Sequence, residues 1–220
     1  MCGRFVLVAS AEQIGKTFGV SAEHNVARYN IAPAQQILTI IAAAGGRQIE
    51  WAWWGLHRHD GSLLINIRSE TALTKPHFRR FLEQSRCLVP ISGFYEWTGT
   101  KQRLPYYITA ARHPLLGLAG VRVLDTDDET GQPIYRCAIL TCAAIEPIAH
   151  LHPRMPLVVP SQLYDEWLNQ TGDIGELLGR ILDAPSLEWH YYRVSPRVGN
   201  VRNDDPSLIA PADDLQQSLL

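Results

Sequence analysis

The sequence predicts an α+β fold, mainly antiparallel sheet with short peripheral helices. Three observations carry this: many short strand-like runs, tight turns between consecutive runs, and few helical segments, none placed as regular crossovers. Gly3–Val8 reads as the first strand, and Ser10 caps a helix that runs through Phe18. Gln36–Ala42 and Arg47–Trp53 flank Gly45-Gly46, a hairpin signal. Thr74 and Lys75-Pro76 open a helix through about Gln84, with Phe78, Phe81 and Leu82 as its apolar members. Strands are then expected at Arg86–Ile91, Phe94–Thr98, Pro105–Ala110, Leu115–Leu124 and Tyr135–Cys142, with Asp125–Pro133 as a polar hairpin loop. Helices return at Ser161–Asn169 and Asp173–Leu182, before a late strand at Trp189–Ser195.

The chain has 220 residues, 46% of them hydrophobic, which is enough for a substantial core. It is read as one domain over residues 1–220, with 204–220 an acidic, partly ordered tail, and as a monomer. No run approaches the roughly 20 apolar residues of a membrane span, and the N-terminus lacks a secretory pattern. A cytoplasmic protein with no membrane partner is expected. Cys2, Cys87, Cys137 and Cys142 form no C-x-x-C pair, so neither a disulfide framework nor a zinc site is indicated. Cys137 and Cys142 are an odd number of residues apart in one strand, hence on opposite faces.

Net charge is −2, against an indiscriminate nucleic-acid binder. The balance is local, however: without Asp204, Asp205, Asp213 and Asp214 the chain carries +2. Its cations are overwhelmingly arginine, whose planar fork grips phosphate at two points, although a GC-rich coding sequence gives the same bias. Any nucleic-acid site is therefore a local arginine groove with a modest salt dependence.

Four places carry chemistry. Cys2 is the first. If Met1 is removed, an α-amine of pKa about 8 and a thiol of pKa about 8.5 sit on adjacent carbons, and together they can turn an aldehyde into a thiazolidine. Second, Asn66, Arg68 and Glu70 alternate in LLINIRSET and share one face of an extended backbone. Third, Glu96 lies among Phe94, Tyr95 and Trp97, where desolvation raises a carboxyl toward the range useful for proton transfer; a Glu on a solvated edge strand is the alternative. Fourth, two prolines extend His150-Leu151-His152-Pro153-Arg154-Met155-Pro156 and present His152 and Arg154 together. Two histidines without a carboxylate are weak support for a metal, so neither metal nor cofactor is expected.

The blocks MCGRF, RYNIAPAQQ, WWGL, INIRSET, RCLVPISGFYEW, LHPRMPLV and SPRVGNVRND, in this order, resemble the SRAP family, the SOS-response-associated peptidases or abasic-site processing proteins. The resemblance spans nearly the whole chain and implies a barrel-like arrangement of the sheets. It also implies a sensor of abasic sites in single-stranded DNA that loses Met1 and uses Cys2 to form a stable thiazolidine with the ring-opened sugar. Carried over by position, Asn66 orients the Cys2 amine and the lesion, Glu96 acts as acid and base in imine chemistry, and His152 handles the protons of ring opening. Arg68 and Arg154 grip flanking phosphates, with Arg4 and Asn30 lining the same cleft. Trp53, Trp54 and Trp97 are candidates for base stacking or, equally, core aromatics.

The chain departs from the family pattern at a short 55–61 loop without an aromatic, at Ile67 in place of alanine, and at Pro153 in place of aspartate. Three activities compete: covalent capture with strand cleavage as a side reaction of the same imine, cysteine (auto)peptidase action with no peptide groove evident, and non-covalent reading of modified bases.

Overall fold

The computed structural model describes residues 2–98, 103–127 and 129–212. In chain order the elements are β1 (Phe5–Ala9), α1 (Ala11–Phe18), β2 (Val26–Ile31), β3 (Gln36–Ala43), β4 (Gly46–Trp54), β5 (Leu56–His57), β6 (Leu63–Leu64), β7 (Asn66–Arg68), α2 (Ser69–Ala72) and α3 (Pro76–Gln84). There follow β8 (Arg86–Ile91), β9 (Gly93–Thr98), β10 (Leu104–Ala110), β11 (Leu116–Thr126), β12 (Pro133–Ala143), β13 (Arg154–Pro156), β14 (Val158–Val159), α4 (Tyr164–Leu168), α5 (Ile174–Leu182) and β15 (Trp189–Arg193). The fold is α+β and mostly antiparallel.

Local signals set several boundaries. Ser10 and Gln13 form a reciprocal capping box at α1, and Gly19 closes it in the left-handed conformation at φ 66°. The β3–β4 hairpin turns at Gly45 and Gly46, both at positive φ. β2, for which no strand was expected although Ala27, Tyr29 and Ile31 alternate with Arg28 and Asn30, pairs antiparallel with β1. Of the predicted helix at 161–169, the first three residues are a 3-10 turn and α4 begins at Tyr164.

Two sheets organise the chain. The first has the order β15-β10-β9-β1-β2. The second runs β12-β4-β3-β8-β11, and pairing of β11 with β12 closes these five strands into a barrel. Its parallel contacts are those of β12 with the end of β4 and with β7. Closure removes free edges around the ring.

Period-two alternation divides the first sheet. Phe5, Leu7, Phe94 and Ile108 join the main core with the barrel, whereas Val6, Tyr95 and Tyr107 pack against Val194, Val198 and Leu208 of the C-terminal segment. Residues 204–212 thus belong to the packed structure: Leu208 is buried and its carbonyl accepts from Tyr95 Oη at 3.4 Å. Met1 and residues 213–220, including Asp213 and Asp214, lie outside the described residues. Among the described residues no helix is long and apolar enough to cross a membrane.

Candidate active site at the junction of sheet and barrel

The site begins where the chain enters β1. Cys2 is fully buried, and its carbonyl accepts a 2.8 Å hydrogen bond from Asn66 Nδ2. Asn66 is placed by β7, which runs parallel to β12 with Asn66 opposite Ile139. Asn66 Oδ1 is a buried acceptor with no partner among the described residues. An amide committed on one side and open on the other suits a group arriving with a proton to donate.

Glu96 comes from β9. Alternation puts it on the barrel side with Phe94, and Tyr95 and Trp97 on the other, so the three aromatics do not form one cage around it. Glu96 is nonetheless only 3% exposed. Burial raises its pKa above the usual carboxylate value, and electrostatic interactions that include His152 oppose the rise. The Cys2 thiol is also pushed well up, first by burial and then by Glu96. The two groups therefore feel each other, and the resting thiol is protonated at neutral pH.

His152 follows a turn, just before β13. Its Nδ1 lies 3.0 Å from both the N and the O of Arg154. With the Arg154 N–H donating, Nδ1 accepts, which assigns the ring proton to Nε2. Electrostatics thus link Cys2 to Glu96 and Glu96 to His152, and a hydrogen bond links Cys2 to Asn66.

The other sequence candidates divide. Arg68 is exposed at the end of β7 and its side chain has no partner among the described residues. Arg154 is largely enclosed and forms a bidentate pair with Glu70, with Nη2 to Oε2 at 2.9 Å, and Nη2 also reaches the Thr141 carbonyl at 2.6 Å. Glu70 does not continue an extended face with Asn66 and Arg68, because α2 starts at Ser69. That expectation is corrected: the strand stops once Asn66 and Arg68 are placed.

Arg4 donates from Nη1 to Asn30 Oδ1 and to the Val198 carbonyl, each at 2.7 Å, and its guanidinium lies 5.8 Å from the Trp97 ring centroid. Asn30 is buried and donates from Nδ2 to the carbonyls of Val198, Asn200 and Asn203. It is a strut for the C-terminal segment and presents no free group to a cleft. Asn30→Ala removes one donor from each of these carbonyls, of which Val198 keeps Arg4 and Asn200 keeps the Asn203 N–H, so the fold should lose about 1–3 kcal/mol, measured by urea denaturation.

Trp54 must be withdrawn as a stacking platform. It is fully buried against Phe5, with ring centroids 5.0 Å apart, and its Nε1–H donates to the Ile65 carbonyl at 3.1 Å. One residue of offset on β4 sends Ala52 and Trp54 inward and Trp51 and Trp53 outward. Trp53 and Trp97 remain half-buried, and Trp51, 48% exposed, went unremarked in the sequence although the same alternation reveals it.

Among the described residues no three of His, Cys, Asp or Glu are grouped to hold a metal ion. A groove of about 1150 Å³ borders the site at Ser69 and Glu70, lined by Leu115, Met155, Leu157 and Trp189. It includes none of Cys2, Glu96 and His152, and it is a concavity the sequence did not disclose.

Residues 1–201 match the family described as SOS response associated peptidase (SRAP). The chain belongs to the SRAP family. The abasic site processing protein YoqW of Bacillus subtilis is 33% identical to it over 225 aligned positions, covering 95% of this chain and 99% of YoqW. The abasic site processing protein YedK of Escherichia coli is 29% identical, covering 96% of this chain and all of YedK. A crystal structure of a Bacteroides thetaiotaomicron protein superposes with a TM-score of 0.80 at 20% identity over 96% of this chain and 100% of that one, a likeness of fold alone.

Proposed function

We propose that this SRAP protein captures abasic sites in single-stranded DNA during the response to DNA damage, through a thiazolidine formed by Cys2 once Met1 is gone. The observation that carries the proposal is the convergence on Cys2: its carbonyl is held by Asn66, and its thiol is buried within the field of Glu96. The names of YoqW and YedK support the target.

In this mechanism the α-amine adds to the C1 aldehyde of the ring-opened sugar, and loss of one water gives an imine. Glu96, whose proton affinity burial raises, donates to the departing oxygen and then receives the thiol proton. Sulfur adds to the carbon of the protonated imine, the C–S bond forms, and the C=N electron pair moves onto nitrogen, which keeps its proton. Asn66 Oδ1 accepts from the amine or a sugar hydroxyl, and His152 Nε2 exchanges the proton of ring opening. A neutral resting thiol suits this order, since it adds to an imine already formed. A peptidase thiol is instead activated by a lowered pKa or an adjacent base.

Incubation with a single-stranded oligonucleotide bearing one abasic site should give a complex that survives denaturing electrophoresis, with a mass equal to the sum of the partners less one water. An undamaged strand should give none. Failure of the abasic strand to form it, or Cys2-dependent turnover of peptides instead, would sink the proposal. Arg68 is the strand anchor: Arg68→Ala should weaken binding and reduce the salt slope by about one while leaving the melting temperature unchanged. An unaltered slope in a salt titration removes Arg68 from the interface.

A further inference from the structure

The Glu70–Arg154 pair joins two segments that the proposed chemistry needs together. Glu70 stands four residues after Asn66, at the start of α2, and Arg154 stands two residues after His152, at the start of β13. The guanidinium fork closes on both Glu70 oxygens, while Nη2 also reaches the Thr141 carbonyl and Oγ1 on β12, the latter at 3.1 Å. The Arg154 N–H, in turn, donates to His152 Nδ1 at 3.0 Å. The hydrogen bond from Arg154 holds the Glu70 carboxyl below the usual carboxylate range, so the pair is ionised at neutral pH.

We infer that Glu70 is a positioning residue: through Arg154 it fixes the orientation and tautomer of His152 and ties the His152 segment to the Asn66 segment. Glu70 touches no reacting atom in this scheme. The inference deepens the capture reading and rests on it for its kinetic consequence, but the tautomer can be measured without DNA. Glu70's side chain is 50% exposed, and the largely enclosed Arg154 keeps its bonds to Thr141 without it, so removal of Glu70 should show in rate and tautomer more than in melting.

The test uses Glu70→Gln, Arg154→Lys and the double variant in single-turnover capture of an abasic oligonucleotide. Each single change should lower the rate constant at saturating DNA about tenfold, with no further loss in the double variant, because both break one unit. In Glu70→Gln the half-saturating DNA concentration should stay within about twofold, since a positioning role leaves strand binding intact. In ¹⁵N-histidine spectra, with His152 assigned by its loss in His152→Gln, wild type should show the Nε2–H tautomer and Glu70→Gln a mixture. Tighter half-saturation at an unchanged rate would overturn the inference by making Glu70 only a competitor for phosphate. An unchanged rate and tautomer would also overturn it. If wild type captures no abasic strand, the functional proposal fails and the tautomer alone decides the role of Glu70.

Discussion

Replacing Cys2 with alanine should abolish the denaturation-resistant complex while leaving the fold intact. The buried site loses only a sulfur atom, so the stability cost is of order 1 kcal/mol. The chemical cost is total. Without sulfur the reaction stops at an imine, which water reverses. The variant still exposes an α-amine at its second position after removal of Met1, so borohydride, which supplies hydride to the imine carbon, should restore a stable link. The pair of outcomes separates the thiol's role from the amine's. A link that persists in Cys2→Ala without reductant would refute the thiazolidine. Failure of borohydride to trap either protein would refute the imine. Intact mass must be read first on the same preparation, because a retained methionine acylates the amine that both steps require.

The second large effect is expected at Glu96. Glu96→Gln keeps the shape and removes the transferable proton, and general acid–base groups of this kind contribute about 10²–10⁴-fold. Capture and its reversal should both slow by at least about a hundredfold, with binding of the abasic strand retained. The same substitution tests the burial of charge. Burial raises the folded-state pKa of Glu96 above its unfolded value. The unfolded chain therefore releases this proton more readily, and the contribution to stability is present in full at low pH and lost as pH rises through the folded pKa. Glu96→Gln should accordingly melt higher than wild type at neutral pH, by roughly 2–4 °C for each kcal/mol relieved. The difference should vanish at pH values below the ordinary carboxylate range. Equal melting at neutral pH would show that the charge is not desolvated, and equal kinetics in both directions would remove Glu96 from the reaction.

How much of this was legible before folding depends on what each residue's role requires. Ser10, Gly45-Gly46 and Pro76 mark caps and turns because those roles rest on one residue's own chemistry. Cys2, Asn66, Glu96 and His152 stand out for similar reasons: a 1,2-aminothiol, an amide in a strand, a carboxylate amid aromatics, and a histidine between prolines. Face assignments fared worse, because one residue of register inverts every side chain of a strand. That is why Trp54 is core and Trp53 is not, and why Glu96 parts company with Tyr95 and Trp97. β2 was missed although Ala27, Tyr29 and Ile31 alternate with Arg28 and Asn30, and its place is set by pairing with β1.

Taken alone, the sequence determined the fold class, most of the longer elements and the chemical inventory centred on Cys2, all of which follow from residue type and short-range period. Tertiary structure decided what the inventory meets. β11 closing on β12 makes the barrel. β7 lying parallel to β12 accompanies the Asn66 bond to Cys2, and the β12–β13 pairing places Arg154 against Thr141 and Glu70. These are contacts between residues far apart in the chain. No local pattern encodes them, because each depends on the register of strands whose partners are chosen only as the whole core is buried.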